Sequence, residues 1–185
     1  FASPLGLGLE SDGEYMDISV KQSPSSKEAV ERLNAVMAEG IEVLSWRELP
    51  ENSKNAMASV AGADYEVRFR EGYELEEGWK KKLEEFLALP EIRIMKETKK
   101  GEQEVDIRPW VYDYHIKDQT IFLKVSAGSV HNLKPELLLK AFGDWAGVEI
   151  PAFALLICRK EMYADEGSET ERKLVALEEL GEEIG

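Results

Sequence analysis

Residues 65–69 have the sequence Tyr-Glu-Val-Arg-Phe, in which apolar and charged side chains alternate. Successive side chains of a β-strand point to opposite faces of the sheet, so this alternation predicts a strand with one buried face. Apolar residues then recur at helical spacing from Leu75 to Phe86, with charged residues between them, and Pro90 follows. This pattern predicts an amphipathic helix that ends at the proline. Together they predict the first strand and helix of a β-α-β unit.

The same order of elements occurs again further along the chain. The later patterns predict strands over 92–94, 105–114, 121–125 and 153–159, and a helix from Pro135 that turns Leu138, Ala141, Phe142 and Trp145 inward. The order is β-α-β, an inserted hairpin and a second β-α-β unit. It predicts an α+β fold, a ferredoxin-like β-α-β-β-α-β sandwich with two helices on one face of an antiparallel sheet. The right-handedness of crossover connections leaves few other compact arrangements for this order.

An additional β-α-β half-unit is predicted near the N-terminus. Apolar residues alternate over 14–20, a capping box at Ser25 and Glu28 opens a helix that ends at Gly40, and residues 41–46 are β-branched and apolar. Half a ferredoxin-like unit covers its sheet poorly. We therefore expect it to pair with an upstream half or to pack on the domain that follows.

These patterns divide the chain into four predicted segments. They are the N-terminal half-unit over 1–50, a linker over 51–63, a complete ferredoxin-like domain with an inserted hairpin over 64–163, and an acidic C-terminal helix or tail over 164–185. The predicted terminal helix begins at a capping box, Ser168 and Glu171, and carries leucines at 174, 177 and 180.

Composition bounds the class of protein. The 185 residues are 43% hydrophobic and 32% charged, which is enough apolar material for a packed core and argues against global disorder. No apolar run approaches the roughly 20 residues of a membrane span, and the one cysteine cannot form an internal disulfide. We expect a cytoplasmic protein without membrane contact. The net charge of −14 repels nucleic acid at long range. A basic surface that binds nucleic acid must therefore overcome the negative electrostatic potential of the whole protein.

No catalytic constellation is recognisable. The Gly6-Leu7-Gly8 stretch precedes a predicted strand rather than a helix, His115 and His131 lack the spacing of a helical metal pair, and Cys158 lies in an apolar strand. Asp106 and Arg108 could serve an enzymatic activity, which is the weakest of the functional hypotheses. A simple ion pair on the surface explains the two residues equally well. We predict no catalytic, metal or cofactor site.

The best binding candidates are Lys96, Lys99, Lys100, Arg108 and Trp110 around one hairpin, and Lys134 at a helix entry. Lysines beside an arginine and a tryptophan suit phosphate contact and base stacking, and a helix N-terminus attracts anions. Two plainer interpretations remain open. The row of Trp110, Tyr112 and Tyr114 on one strand face is typical of core packing, and Lys134 fits an ordinary helix start.

Several stretches of the chain resemble a known family. They are Pro-Leu-Gly-Leu-Gly-Leu-Glu-Ser at 4–11, Gly-Glu-Tyr-Met-Asp-Ile at 13–18, and shorter matches at 33–35, 40–44, 63–65, 100–101, 106–109 and 132–135. These residues resemble the radical-SAM-linked domain of unknown function. The family pattern usually begins with a further β-α-β segment carrying a Ser-His-Leu-Asp signature, which this sequence lacks.

The resemblance implies an accessory role beside a radical SAM enzyme, in a context linked to RNA and ribosome maturation. One cysteine cannot ligate the iron–sulfur cluster of such an enzyme, so the chain is not expected to catalyse that chemistry. Two functions follow as hypotheses. The first is a non-catalytic module that binds tRNA or rRNA and presents it to the enzyme. The alternative is a protein-interaction domain that docks on a partner enzyme or on a second copy of itself.

Overall fold

The protein has a mixed α+β fold, seen in a computed structural model that describes residues 1–98, 101–168 and 171–185. The helices of the described chain are α1 Ser26–Asn34, α2 Ala56–Ser59, α3 Trp79–Leu87 and α4 Pro135–Ala146. The strands are β1 Glu10–Ser11, β2 Val60–Phe69, β3 Arg93–Thr98, β4 Gly101–Asp106, β5 Val111–Lys117, β6 Thr120–Ser126, β7 Leu155–Asp165 and β8 Leu174–Ala176. The predicted α+β class is confirmed. None of these helices has the length and apolarity that crossing a membrane requires.

The main sheet has the strand order β1-β7-β2-β6-β5, and β8 pairs with β7. β2 lies at its centre, antiparallel to both β6 and β7, so that Tyr65 faces Leu123 on one side and Arg159 on the other. β5 and β6 form an antiparallel hairpin, and β1 pairs with β7 in parallel. β3 and β4 form a separate two-stranded sheet.

α3 and α4 pack together against one face of the main sheet. The rings of Phe86 and Phe142 lie 5.7 Å apart, and both side chains belong to one buried cluster with Val67, Leu123 and Ile157 of the central strands. Local signals explain α4: a proline occupies its first turn, and Gly147 ends it with a φ of 71°, which favours glycine. Trp145, predicted to point inward, is instead 46% exposed, because it lies in the last turn of α4 at the margin of the core.

The inserted hairpin differs from the prediction. Residues 105–114, expected as one strand, belong to two sheets, because a 3-10 turn at Arg108–Trp110 separates β4 from β5 and buries Ile107 completely. A register shift then falls between Val111 and Asp113. As a result the aromatic residues do not form one continuous row. Tyr114 packs against the core, whereas the Tyr112 hydroxyl donates a hydrogen bond to the Ala61 carbonyl.

The two N-terminal strands predicted over 14–20 and 41–46 are absent. Neither segment forms a strand, and the two-residue β1 is the strand present in this part of the described chain. α1 is confirmed, with Ser25 Oγ accepting the N–H of Glu28, although it ends at Asn34 rather than Gly40. A strand needs a neighbouring edge for its hydrogen bonds, and in the described chain neither segment pairs with a strand of either sheet.

The predicted acidic C-terminal helix is also wrong. Ser168 Oγ does accept the N–H of Glu171, but the chain then runs into β8 and a 3-10 turn at Leu177–Leu180. The exposed edge of β7 supplies backbone hydrogen bonds to β8, and the turn buries Leu177 to 6% exposure. Pairing with the sheet therefore outweighs the local helix signal.

Candidate binding site

A cation and two rings form a cluster between the inserted hairpin and the loop before α4. Lys96 Nζ lies 5.0 Å from the centroid of the Trp110 ring, and His131 stacks on Trp110 with ring centroids 4.8 Å apart at 26°. Trp110 is half-buried and packs against the core. The structure thus brings two of the sequence-predicted residues together and adds His131, which lies 21 positions from Trp110 in the loop before α4. Lys99 and Lys100 lie outside the described residues.

Arg108 has a structural role in the turn that separates β4 from β5. Its Nη1 donates to the Val111 carbonyl at 3.1 Å. Asp106 does not use its carboxylate as the predicted partner of this guanidinium; its Oδ1 accepts the backbone N–H groups of Ile92 at 2.8 Å and Arg108 at 3.0 Å. These contacts fix the path of the chain between the hairpin and the main sheet.

Lys134 is exposed at the N-cap of α4. Glu136 lies in the first turn of the same helix, where a carboxylate complements the positive end of the helix dipole. Its Oε2 is buried without a hydrogen-bond partner among the described residues. The first turn of α4 therefore carries a carboxylate two residues after Lys134.

The uncovered face of the main sheet is a mosaic of opposite charges. Asp64 Oδ2 accepts a hydrogen bond from the Tyr163 hydroxyl at 2.6 Å and lies 3.6 Å from Lys124 Nζ. Lys160 is paired with Asp12 and lies 3.8 Å from Glu66. Burial and the hydrogen bond to Asp64 raise the pKa of Tyr163. The lysines named here are matched by carboxylates, so they do not form a continuous positive surface for a phosphate backbone.

A groove of about 1740 Å³ lies near the N-terminus, and we call it the N-terminal groove. Its walls include residues 14–18 and 40–50, Leu33 of α1, Met37 just after α1, and the C-terminal residues Leu177, Glu178, Leu180 and Gly181. More than half of the exposed large hydrophobic residues in the described chain line it: Phe1, Leu5, Met16, Ile18, Val20, Ile41, Leu44, Leu49 and Val130.

The groove is acidic as well as apolar. Eight carboxylate side chains and three cationic ones are among its described lining residues. Two of the cations are already paired: Arg47 Nε lies 3.2 Å from Glu178, and Arg172 Nε lies 3.2 Å from Asp165. The carboxylates of the groove are therefore in excess.

Side chains hold the two segments that border the groove. The Asn34 amide donates to the Val43 carbonyl at 2.9 Å and accepts the Val43 N–H at 2.7 Å, as a neighbouring strand would. In the other segment, Asp17 Oδ2 accepts the N–H of Ala56 at 2.6 Å. Both segments are fixed in place without backbone ladders.

A buried ion pair ties the first of these segments to the main sheet. Arg159 is 4% exposed, and its Nε donates to Glu14 Oε1 at 2.9 Å while its Nη2 donates to the Ser3 carbonyl at 2.9 Å. The Tyr15 hydroxyl donates to Glu161 Oε1 at 2.6 Å. Burial and this hydrogen bond raise the pKa of Tyr15.

The ionisable groups of the described chain form no group of three that could hold a metal ion. Burial, followed by the charge of Asp12, raises the pKa of the Cys158 thiol, which disfavours the nucleophilic thiolate. Cys158 is half-buried on β7.

Comparison with known proteins places the chain in a family. Neither the curated proteins nor the solved structures include a significant match. Residues 1–135 match the model of DUF2344, described as an uncharacterized protein conserved in bacteria. This match covers most of the chain, including the N-terminal groove segments, the inserted hairpin and the start of α4. The chain therefore belongs to the DUF2344 family.

Proposed function

We propose that the chain is a non-catalytic accessory module that docks on a partner protein through the N-terminal groove. The observation that carries the proposal is the exposure of apolar side chains there: Met16 is 50% exposed, Ile18 44% and Leu44 71%. Contiguous exposed apolar surface rimmed by polar groups is typical of protein-interaction sites.

The proposed partner is a radical SAM enzyme, as the family resemblance implies. The excess of carboxylates in the groove favours a partner surface that combines apolar and basic side chains, because complementary charge speeds association and selects the partner. The cytoplasm is the proposed site of action.

Co-purification of the tagged chain with the radical SAM enzyme of the same genome tests this function. We expect Ile18→Glu and Leu44→Glu to abolish recovery, since each places a charge on the apolar contact. Leu7→Glu is the matched control, because Leu7 is fully exposed and lies outside the groove lining. Recovery of the enzyme by all three variants, or by none of the proteins including the wild type, would contradict the proposal.

The scaffold that we propose for this module is ferredoxin-like over residues 60–165. Its four strands are, in chain order, β2, β5, β6 and β7. They lie in the sheet in the order β7-β2-β6-β5, so the last of the four lies beside the first, and the third lies between the first and the second. Each neighbouring pair is antiparallel, and α3 and α4 connect the strands on one face. The β3-β4 hairpin is the insertion between the first helix and the second strand.

RNA binding is the second candidate function, and the cluster of Lys96, Trp110 and His131 favours it. An aromatic stack beside an ammonium group suits an unpaired base and its phosphate. Trp110→Ala and Lys96→Ala should each weaken binding of a single-stranded RNA oligonucleotide, and the binding should fall with added salt. Lys140→Ala is the control, because Lys140 pairs with Asp144 on α4. Unchanged affinity in both test variants would exclude this cluster.

A further inference from the structure

The two segments that border the N-terminal groove are connected like the strands of a β-α-β unit but do not pair with each other. Residues 14–20 precede α1 and residues 41–46 follow it. The Trp46 indole Nε1 donates to Ser23 Oγ at 3.2 Å, which places the carboxyl ends of the two segments together. In the described chain no backbone hydrogen bond joins one segment to the other. Residues of both segments line the same groove.

The backbone of each segment is open for pairing. Among the described residues, the N–H and C=O groups of 16–20 make no hydrogen bonds within the protein. In the second segment Asn34 satisfies both backbone groups of Val43. The backbone groups of neighbouring residues in an extended chain point to opposite sides, so those of Glu42 and Leu44 point away from Asn34. Within the described chain they are unbonded.

The side chains that line the N-terminal groove favour binding of an extended polypeptide with one apolar face. Tyr15 and Asp17 turn towards the body of the protein, where they hydrogen-bond with Glu161 and Ala56. The alternate residues Met16 and Ile18 remain exposed. Leu33 of α1 and Met37, which follows α1 in the chain, are half-buried apolar residues of the groove lining. A helix or globular surface would leave the open backbone edges unsatisfied, whereas a strand satisfies them.

The negative charge of the groove favours a bound segment whose polar face is basic. Glu42, Glu48 and Glu166 are carboxylates of the lining without an ion pair among the described residues, and Lys54 is a cation of the lining in the same condition. A strand whose polar positions are Lys or Arg is attracted there, and one with Asp or Glu is repelled.

We propose that the N-terminal groove binds one extended segment of a partner protein, in which apolar residues alternate with Lys or Arg, by β-strand addition between residues 14–20 and 41–46. This inference rests on the proposed docking function and specifies the chemistry of the docked segment. The added strand hydrogen-bonds to both segments, covers Ile18 and Leu44 with its apolar face and presents its cations to the carboxylates.

Fluorescence anisotropy with designed peptides tests this proposal. The probe is a labelled peptide of about ten residues, the usual upper length of a strand, in which Val and Ile alternate with Lys. We expect binding that protects the amides of 16–20 and 42–46 from hydrogen exchange. Separating the same residues into an apolar block and a basic block, replacing Lys by Glu, or N-methylating alternate amides should each weaken binding about tenfold or more.

Variants of the protein complete the test. Ile18→Glu and Leu44→Glu should weaken binding of the alternating peptide, and Leu7→Glu should leave it unchanged. Equal binding of the N-methylated or block peptide would overturn strand addition, and equal binding of the Glu peptide would overturn the basic partner. A dimer of the chain alone that Ile18→Glu dissociates and the peptide does not compete would assign the groove to a second copy instead.

The peptide-binding experiment and the co-purification experiment can fail independently of each other. If the alternating peptide binds as expected while the radical SAM enzyme is not recovered, the strand site stands and the proposed partner fails. If the enzyme is recovered through Ile18 and Leu44 while no peptide binds, docking stands and strand addition fails.

Discussion

Residues 60–165 and residues 14–46 contain the same strand–helix–strand pattern, but only the first region forms a packed sheet. Val67 at the centre of β2 is completely buried, whereas Ile18, in an equally alternating segment, is 44% exposed. β2 has a hydrogen-bonded neighbour on each side. The difference teaches that alternation of apolar residues predicts only a preference for a strand. Whether the strand forms depends on a neighbouring strand with free backbone groups to pair with.

Truncation of apolar side chains should give the largest difference between the two regions in the free energy of unfolding. Phe142→Ala removes a ring that is 1% exposed between α4 and α3, and should lower the free energy of unfolding by about 3–5 kcal/mol. Ile18→Ala, at an exposed position, should change it by less than about 0.5 kcal/mol. Urea unfolding followed by circular dichroism measures both. Equal losses would mean that the groove residues are part of the core in solution.

The second effect concerns the ion pair that joins the regions. Glu14→Gln leaves the buried Arg159 guanidinium without its carboxylate and should cost about 1–3 kcal/mol, a range that allows for the partial exposure of Glu14. Hydrogen exchange should rise over residues 1–15 and remain unchanged in β2. Glu10→Gln is the control, because Glu10 is exposed. A global rise in exchange would show instead that the two regions unfold as one unit.

A smaller effect is expected from the tyrosine at the same junction. The pKa of Tyr15 is raised by burial and by Glu161, so the folded protein keeps the phenolic proton when the unfolded chain has lost it. This contribution is therefore complete below about pH 10 and is lost as the pH rises above it. Tyr15→Phe should reduce the loss of stability between about pH 9 and pH 11 by at most about 1 kcal/mol, measured by urea midpoints. An unchanged pH profile would contradict the buried hydrogen bond.

The smallest effect should be the same in both regions. Arg32 pairs with Glu28 on α1, and Lys140 pairs with Asp144 on α4, each at i,i+4 on an exposed surface. Arg32→Ala and Lys140→Ala should each change the free energy of unfolding by less than about 0.5 kcal/mol. A much larger loss for Arg32→Ala, seen in the same urea experiment, would indicate that α1 depends on surface charge rather than on its half-buried apolar face.

The sequence predicts the elements that depend on local signals. Ser25 caps α1, Pro135 begins α4 and the alternation over 65–69 marks β2, and all three elements form. The terminal segment shows where local signals are insufficient. The capping-box spacing at Ser168 predicts a helix, but the free edge of β7 lies beside the chain and pairs with β8. Such pairing depends on distant residues, and no short window of sequence contains it.

The candidate site was predictable only in part for the same reason. Lys96 and Trp110 lie on one hairpin and its following turn, so sequence proximity brings them together. His131 reaches Trp110 through the packing of a different loop. The uncovered apolar face near the N-terminus was foreseeable from the half-unit pattern, but the contribution of C-terminal residues to the groove was not, because Asp165 and Glu178 come from the far end of the chain.

The pair of hydrogen bonds between the Asn34 amide and the Val43 backbone affects binding rates and affinity. Ordering one backbone residue costs about 1–2 kcal/mol, and a loose loop would have to meet that cost each time a ligand arrived. With one side of the loop already held by a side-chain amide, much of that ordering takes place during folding. Asn34 thereby pre-orders the segment and lowers the entropic cost of the proposed strand addition.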